Sequence, residues 1–416
     1  MSVTLEDILA ARTRIAGGIA ETACIESIPL SELCGARIFC KLEYMQRTGS
    51  FKERGARNAL LLLSREHQQR GAISASAGNH ALGMAYHGRL LKIPVTVVMP
   101  TFAPLIKVAN CRKFGATVVL HGKDLAEART RADELAQEQG LTYIHGYDDA
   151  AIIAGQGTIG LEILEQVPDV DAIVASIGGG GMIAGIALAV KSLRPDVQVI
   201  GVEPEHAACF SAALGAGRPV DVDVKPTLAD GLAVSRVGPR AFDVARSLVD
   251  RVVTVDEAAL AIAMLRMIEL DKRVVEGAGA APLAAFIAGK LPAQLPAQLS
   301  AQSSELAGRR IVLVLSGGNV DLNTLDRVIE VGLVHDARIC RFTAVITDRP
   351  GGLAGLAGLI ASTGASIKDI THDRLFAGPD VSAVRVVCTV ETADREHRDA
   401  LLAALREAGV RLKLDS

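Results

Sequence analysis

The sequence predicts an α/β chain: a parallel sheet covered by helices on both faces, followed by a smaller α+β unit of ferredoxin-like type. Three observations carry this. Short apolar runs alternate with amphipathic segments through most of the chain, the pattern of a parallel sheet buried on both sides. Four consecutive glycines, Gly178 to Gly181, stand between an apolar run and a helical segment. From about residue 337 the order of segments becomes βαββαβ.

The elements follow in order. Ile73-Ser74-Ala75 reads as a strand, Asn79 to Leu90 as a helix and Val95 to Met99 as a strand. Pro104 to Phe114 is helical, Thr117 to Leu120 a strand and Leu125 to Gln139 a helix. Ile173-Val174-Ala175 precedes the glycines, Val197 to Ile200 follows their helix, and Val312 to Leu315 closes the series. Ala172 to Val190 is 19 residues without a charge, long enough to span a bilayer. Each glycine inside it would cost a helix about 1 kcal/mol, so strand, glycine loop and helix describe it better. Residues 291–309 hold a Pro-Ala-Gln repeat and read as a low-complexity surface insertion. Beyond it, Ile339 to Thr347 is a strand, Leu353 to Thr363 a helix, Ser366 to Leu375 and Val381 to Val390 strands. Arg395 to Ala408 is a helix and Val410 to Leu414 a last strand.

Composition narrows the class. A chain of 416 residues is long enough for two to three domains and needs no disulfide staple. Net charge is -3 and no Lys/Arg run occurs, so neither nucleic acid nor a membrane surface is an expected partner. The seven cysteines form no C-x-x-C pair, which argues against a zinc site and for a reducing, cytoplasmic location. Acidic residues interrupt the N-terminal stretch before any signal-peptide core forms.

Four motifs carry chemistry. In Thr48-Gly49-Ser50-Phe51-Lys52-Glu53-Arg54-Gly55, Ser50 is a candidate N-cap and Glu53 completes a capping box. Lys52 then lies in the first helical turn, where the helix dipole lowers its pKa and makes it a better nucleophile and base. A solvated lysine on an amphipathic helix is the competing reading. In Ser74-Ala75-Ser76-Ala77-Gly78-Asn79-His80-Ala81, Ser76, Asn79 and helix-start N–H groups suit a carboxylate or ring hydroxyl. Simple capping, with His80 on the helix surface, explains it as well. Ser176 to Met182 exposes several N–H donors toward one point, where a phosphate fits. Gly179-x-Gly181-x-x-Ala184, with Glu203 ending the next strand, also satisfies a relaxed dinucleotide pattern, so an NAD-dependent oxidoreductase stays open. Leu315-Ser316-Gly317-Gly318-Asn319 ends an apolar strand and reads otherwise as a plain turn.

Together, in this order and spacing, the four motifs resemble the threonine/serine dehydratases. These are pyridoxal-phosphate enzymes of the tryptophan-synthase-β type, fold type II, with two doubly wound α/β subdomains. Ala154-Gly155-Gln156-Gly157-Thr158, Gly201-Val202-Glu203 and Ala229-Asp230-Gly231 strengthen the resemblance, and Asp348-Arg349-Pro350-Gly351-Gly352-Leu353 resembles an ACT domain. The resemblance implies a catalytic domain over 1–333, its small subdomain about 53–150 inserted in the large one, and a regulatory ACT domain over 337–416. It implies that pyridoxal 5'-phosphate is held on Lys52 as a Schiff base, beside Phe51. Gly178, Gly179, Gly180, Gly181 and Met182 then cradle its phosphate, Asn79 meets the ring 3-oxygen, Ser316 the pyridine nitrogen and Gly231 the open ring face. Ser76, Ala77, Asn79 and His80 hold the substrate, and Lys52 and Ser316 are the catalytic pair. The implied reaction is β-elimination of L-threonine, and of L-serine, to 2-oxobutanoate or pyruvate and ammonia. A serine or threo-3-hydroxyaspartate dehydratase and a catalytically inactive amino-acid sensor are the alternatives.

Ala77 stands where serine racemases of this kind carry a serine, which argues against racemisation. Cys209 replaces a carboxylate of the family's divalent-cation site near Glu203, so no magnesium or calcium is expected there, and a monovalent ion stays open. Asp348, Gly351, Gly352 and Leu353 are the implied effector residues, with isoleucine or valine as effector, in a homodimer or homotetramer.

Overall fold

The computed structural model describes residues 3–291, 306–374 and 382–414, so most of the 291–309 insertion and the joint between the expected strands near 375–381 lie outside the described residues. The chain divides into two compact units, Met1–Asp321 and Leu322–Ser416.

The first unit holds two sheets. Strands β1 (Cys24–Glu26), β2 (Arg37–Lys41), β3 (Ala72–Ala75), β4 (Val95–Met99), β5 (Thr117–Leu120), β6 (Thr142–Tyr143), β7 (Ala172–Ser176), β8 (Gln198–Pro204), β9 (Arg251–Val255) and β10 (Arg310–Val314) follow in chain order. One sheet has the order β1-β2-β10-β7-β8-β9, the other β5-β4-β3-β6. Every pairing in them is parallel except β1 with β2. The four-stranded sheet is inserted between β2 and β7. Each residue of β7 is buried, which its run Ala-Ile-Val-Ala-Ser permits because both faces are covered by helices. The uncharged stretch resolves into β7, the glycine loop and the helix Gly181–Leu193. Among the described residues, no helix is long and apolar enough to cross a membrane.

The helix Ala150–Gln166 is the spine of this unit. A Cβ added at Gly155 would stand 2.6 Å from Gly55 Cα, and one at Gly185 would stand 2.5 Å from Gly157 N. Backbone therefore lies on backbone, and the spine touches both the helix Lys52–Leu62 and the helix Gly181–Leu193 at that distance. Their N-terminal residues, Lys52 and Gly181, are thus placed relative to one another by van der Waals contact rather than by loops.

Beside the spine lies a fully buried ionic cluster. Arg54 reaches Glu43 (2.7 and 2.8 Å) and Glu162 (2.5 and 2.7 Å). Lys41 donates to Glu162 and to the Thr22 carbonyl, both at 2.5 Å. Two cations thus face two anions. Burial alone would raise the Glu43 carboxyl, but the Arg54 guanidinium holds it below its ordinary value.

The second unit starts with the helix Leu322–His335. Then come β11 (Ile339–Thr347), the helix Gly352–Ser362, β12 (Ser366–Asp373), β13 (Ala383–Glu391), the helix Arg395–Glu407 and β14 (Arg411–Leu414). The sheet order is β12-β13-β11-β14, antiparallel at each pairing, over a core that includes Phe342, Leu356, Val386 and Leu401. This is the expected βαββαβ arrangement.

Candidate active site

The carboxyl ends of β2, β10 and β7 are neighbours in the large sheet, and ligands in open parallel sheets lie at such ends. Phe51 N–H donates to the Ser316 carbonyl at 3.0 Å, Gly318 N–H to the Gly49 carbonyl at 2.9 Å, and Ser50 bridges Gly317. The motif after β2 is therefore strapped to the motif after β10.

That strap corrects the expected cap. The helix begins at Lys52, its N-cap residue is Phe51, and no side chain caps it. Ser50 is spent in the bridge, and its buried hydroxyl has no partner. The Glu53 carboxylate instead accepts from Thr48 N–H and pairs with the buried His87 at 3.1 Å. The Lys52 amine donates to the Gly146 carbonyl at 2.7 Å and stands 5.1 Å from the Phe51 ring centre. Its pKa is pushed down to about 8 by burial, with Glu276 opposing. The expected direction holds, but desolvation is the cause rather than the helix end. An amine-directed arylating reagent should therefore label Lys52 of the cofactor-free chain about tenfold faster per pH unit up to about 8, then level off. A rate that keeps rising to pH 10 would show an ordinary exposed lysine.

The glycine loop joins β7 to its helix through Gly180 at φ +90°. Among the described residues, the N–H groups from Gly178 to Ile183 have no acceptor, while Ala184 N–H is the first to bond within the turn. Six bare donors around a helix start suit an anion. The loop cannot carry side chains: a Cβ at Gly179 would stand 2.2 Å from the Tyr147 ring, and one at Gly181 2.4 Å from the Tyr147 carbonyl. The segment His145 to Asp148 thus touches the glycine loop through Tyr147 and Lys52 through Gly146. Gly178 in turn lies against Leu232 and Gly231.

The helix Asn79–Leu91 opens from Gly78 without a side-chain cap. Ser76 Oγ accepts from Gly78 N–H at 3.3 Å, and the N–H groups of Asn79, His80 and Ala81 have no acceptor. Asn79 Nδ2 donates to Glu276 at 2.7 Å, and its Oδ1 accepts from Asn319 Nδ2 at 2.9 Å. His80 is not on the helix surface: it is 3% exposed, with Nε2 3.3 Å from the Ile144 carbonyl and no partner at Nδ1. Burial, then the nearby Lys52, pushes its pKa down to about 3, so the ring is neutral. The buried Ser316 hydroxyl stands 3.5 Å from that of Ser176. The predicted residues Lys52, the glycines, Gly231 and Asn79 thus lie along one chain of contacts, joined through Gly146, Tyr147 and Glu276.

Glu203 is no ribose ligand. It is fully buried, accepting from Phe210 N–H (2.6 Å), Ser211 N–H (2.8 Å) and Ser211 Oγ (2.6 Å). Cys209 donates to the Gly178 carbonyl at 3.5 Å. Those contacts close the dinucleotide reading, and no cluster of potential metal ligands occurs among the described residues.

Comparison with known proteins agrees with this geometry. A family model described as pyridoxal-phosphate dependent enzyme matches residues 15–317. The chain belongs to the pyridoxal-phosphate dependent enzyme family. It is 40% identical to the L-threonine ammonia-lyase of Thermotoga maritima over 412 residues, 99% of both chains. The processed form of threonine deaminase isoform 2 from Solanum lycopersicum superposes with a TM-score of 0.71 at 37% identity, covering 79% of this chain and 92% of that one. Maize serine racemase superposes at 0.72 with 34% identity, covering 80% and 99%. The family's cofactor fits the residues present: a buried amine of lowered basicity, six unpaired amides for a phosphate, and a buried hydroxyl beyond β10.

Gly146, Tyr147 and Glu276 escaped sequence reasoning. Glu276 carried a signal, being the one charged residue between Val274 and Gly289. Tyr147 carried none, since only its contact with the glycines marks it. In the second unit, Asp348 accepts from Arg374 Nε (2.9 and 3.1 Å), Gly351 sits at φ +93° before the helix, and Gly352 and Leu353 begin it.

Proposed function

We propose that this chain is an L-threonine ammonia-lyase that also accepts L-serine. The chain of contacts joining the Lys52 amine to the bare glycine amides carries the reading, and relatives of that name aligned over nearly the whole chain support it.

In this reading pyridoxal phosphate supplies an aldehyde for amines and an electron-withdrawing ring that acidifies the substrate Cα–H. The N–H groups of Gly178 to Gly181 and Met182 would hold the phosphate, Phe51 and Gly231 would hold the ring, and Asn79 would donate to its 3-oxygen. Ser316 would donate to the pyridine nitrogen without protonating it, which would keep the electron sink weak and favour prompt elimination. The free N–H groups at the helix start, with Ser76 and Ala77, bind the substrate carboxylate. His80 takes part through its N–H, because its neutral ring donates to Ile144 and has only a lone pair left at Nδ1. Lys52 takes the Cα proton, the β-hydroxyl leaves as water, and water then replaces nitrogen at Cα. The balance is threonine to 2-oxobutanoate plus ammonia.

The second unit is read as an ACT domain that binds isoleucine or valine beside Asp348, Gly351, Gly352 and Leu353, in a cytoplasmic homodimer or homotetramer. The antiparallel βαββαβ fold and the glycine turn support this. Steady-state rates on L-threonine, L-serine and threo-3-hydroxyaspartate, with and without isoleucine or valine, test the reading. Threonine should be the best substrate, and ammonia should appear in step with 2-oxobutanoate. A chain that turns over none of the three overturns the proposal.

The phosphate cradle gives a separate expectation. Gly179→Ala drives a methyl into the Tyr147 ring, and cofactor affinity should fall by about tenfold or more. Gly179→Ala with Tyr147→Ala should recover part of it, as equilibrium dialysis with pyridoxal phosphate would show. Equal loss in both variants would mean that the added methyl acts on the loop itself.

A further inference from the structure

The proposed chemistry leaves one buried acid without a task. Glu276 precedes the helix Gly277–Ile287, and its N–H donates to the Gly317 carbonyl at 3.0 Å. Its side chain points among the proposed cofactor residues. Oε1 accepts from Asn79 Nδ2 at 2.7 Å, and a Cβ at Gly317 or Gly231 would stand 2.2 or 3.8 Å from it. On the other side of Asn79, Oδ1 accepts from Asn319 Nδ2, which also donates to the Thr48 carbonyl at 2.7 Å.

A side-chain amide has two N–H donors and one carbonyl oxygen. Asn319 takes the oxygen of Asn79 and Glu276 takes one hydrogen. The amide is therefore fixed in a single orientation, with its second hydrogen uncommitted. We propose that Glu276 is a positioning residue, which clamps the Asn79 amide so that its second N–H is free for the cofactor and tunes that donor through its own charge. This rests on the cofactor reading above.

The groups around Glu276 make the tuning effective in the neutral range. Asp230 faces it from the turn at 230–232, Lys107 from the helix Leu105–Lys113 and Lys52 from its helix start. Lys107 and Asp230 pair with each other at 3.0 Å and act on the carboxyl in opposite directions, Asp230 the more strongly. Burial first, then Asp230, pushes the Glu276 carboxyl up to about 7, against the pull of the Asn79 hydrogen bond. Below that pH the group is an acid. Above it the carboxylate is a stronger acceptor, and its charge favours protonated states of Lys52.

The test uses the cofactor-loaded full chain and two variants. Visible absorption is followed across pH, and pyridoxal-phosphate dissociation is measured by equilibrium dialysis. The wild-type spectrum should titrate with a midpoint near 7. Glu276→Gln keeps an oxygen for Asn79 but cannot ionise. It should lose the midpoint while holding the dissociation constant within about threefold. Glu276→Ala should weaken cofactor binding by about tenfold or more, since it frees the amide to turn. Should the alanine variant not fold, the glutamine variant carries the test alone. A midpoint unmoved in Glu276→Gln, or wild-type affinity in a folded Glu276→Ala, overturns the role of Glu276 only. A wild-type chain whose lysine takes up no borohydride-fixable cofactor overturns the functional reading and the Glu276 role together.

Discussion

Lys52→Ala should abolish threonine deamination, with kcat/KM lower by at least about 10³-fold, and should leave no borohydride-fixable cofactor on the chain. The amine is held by the Gly146 carbonyl against the Phe51 ring, at a pKa near 8, so a usable fraction is neutral at physiological pH. Lys52→Arg should not rescue, because a guanidinium stays protonated and offers no lone pair. Unfolding is separable from this loss. The folded pKa lies below the ordinary 10.5, so the unfolded chain binds more protons between about 8 and 10.5. The charged lysine therefore costs stability below pH 8, and the cost fades as pH rises through that window. The alanine variant should thus be at least as stable as the cofactor-free parent at pH 7. A stable Lys52→Ala chain retaining a tenth of the activity would remove Lys52 from the chemistry.

How much of this was legible in the sequence depends on the range of each interaction. The glycine run, the helix starts at Lys52 and Asn79 and the strand before Ser316 are local patterns, and each appears where expected. The cap was misassigned because Ser50 answers to Gly317, a partner 267 positions away that no local rule contains. The alternative of a surface His80 stays open in the sequence because helical spacing says nothing about which neighbour covers it; Gly146, with no side chain, lets the ring pack inward. Glu276 meets Asn79 across 197 positions, and only tertiary structure shows that its lone charge enters the site. For Lys52 the sequence points in the right direction of pKa shift, but the cause is burial and not the helix end. A dipole can be inferred from a helix start, whereas desolvation requires knowing what surrounds the amine.

The ionic cluster beside the spine helix predicts the largest effect on stability. Arg54, Lys41, Glu43 and Glu162 are all buried, and their charges balance. Arg54→Met leaves two carboxylates facing Lys41 alone, so the buried Glu43 loses its guanidinium and keeps only the neutral donors Thr22 and Gln46. Such a loss costs about 3–5 kcal/mol, readable as a shift in the urea midpoint of the cofactor-free chain. Arg54→Met with Glu43→Met removes one charge of each sign and leaves Lys41 paired with Glu162 at 2.5 Å. Buried ion pairs replaced by apolar side chains are often neutral, so this double variant should regain most of the loss, with a coupling energy above about 2 kcal/mol. The position of the cluster gives it a functional reach. Arg54 lies two residues beyond Lys52 on one helix, and Glu162 lies on the helix that touches the glycine-loop helix through Gly157 and Gly185. Loosening this joint separates the amine from the amides, so Arg54→Met should also hold pyridoxal phosphate less tightly, and the double variant should recover both properties together. A single variant within about 1 kcal/mol of the parent would mean that water or rearrangement satisfies the stranded carboxylate, and that the cluster does not fix the site.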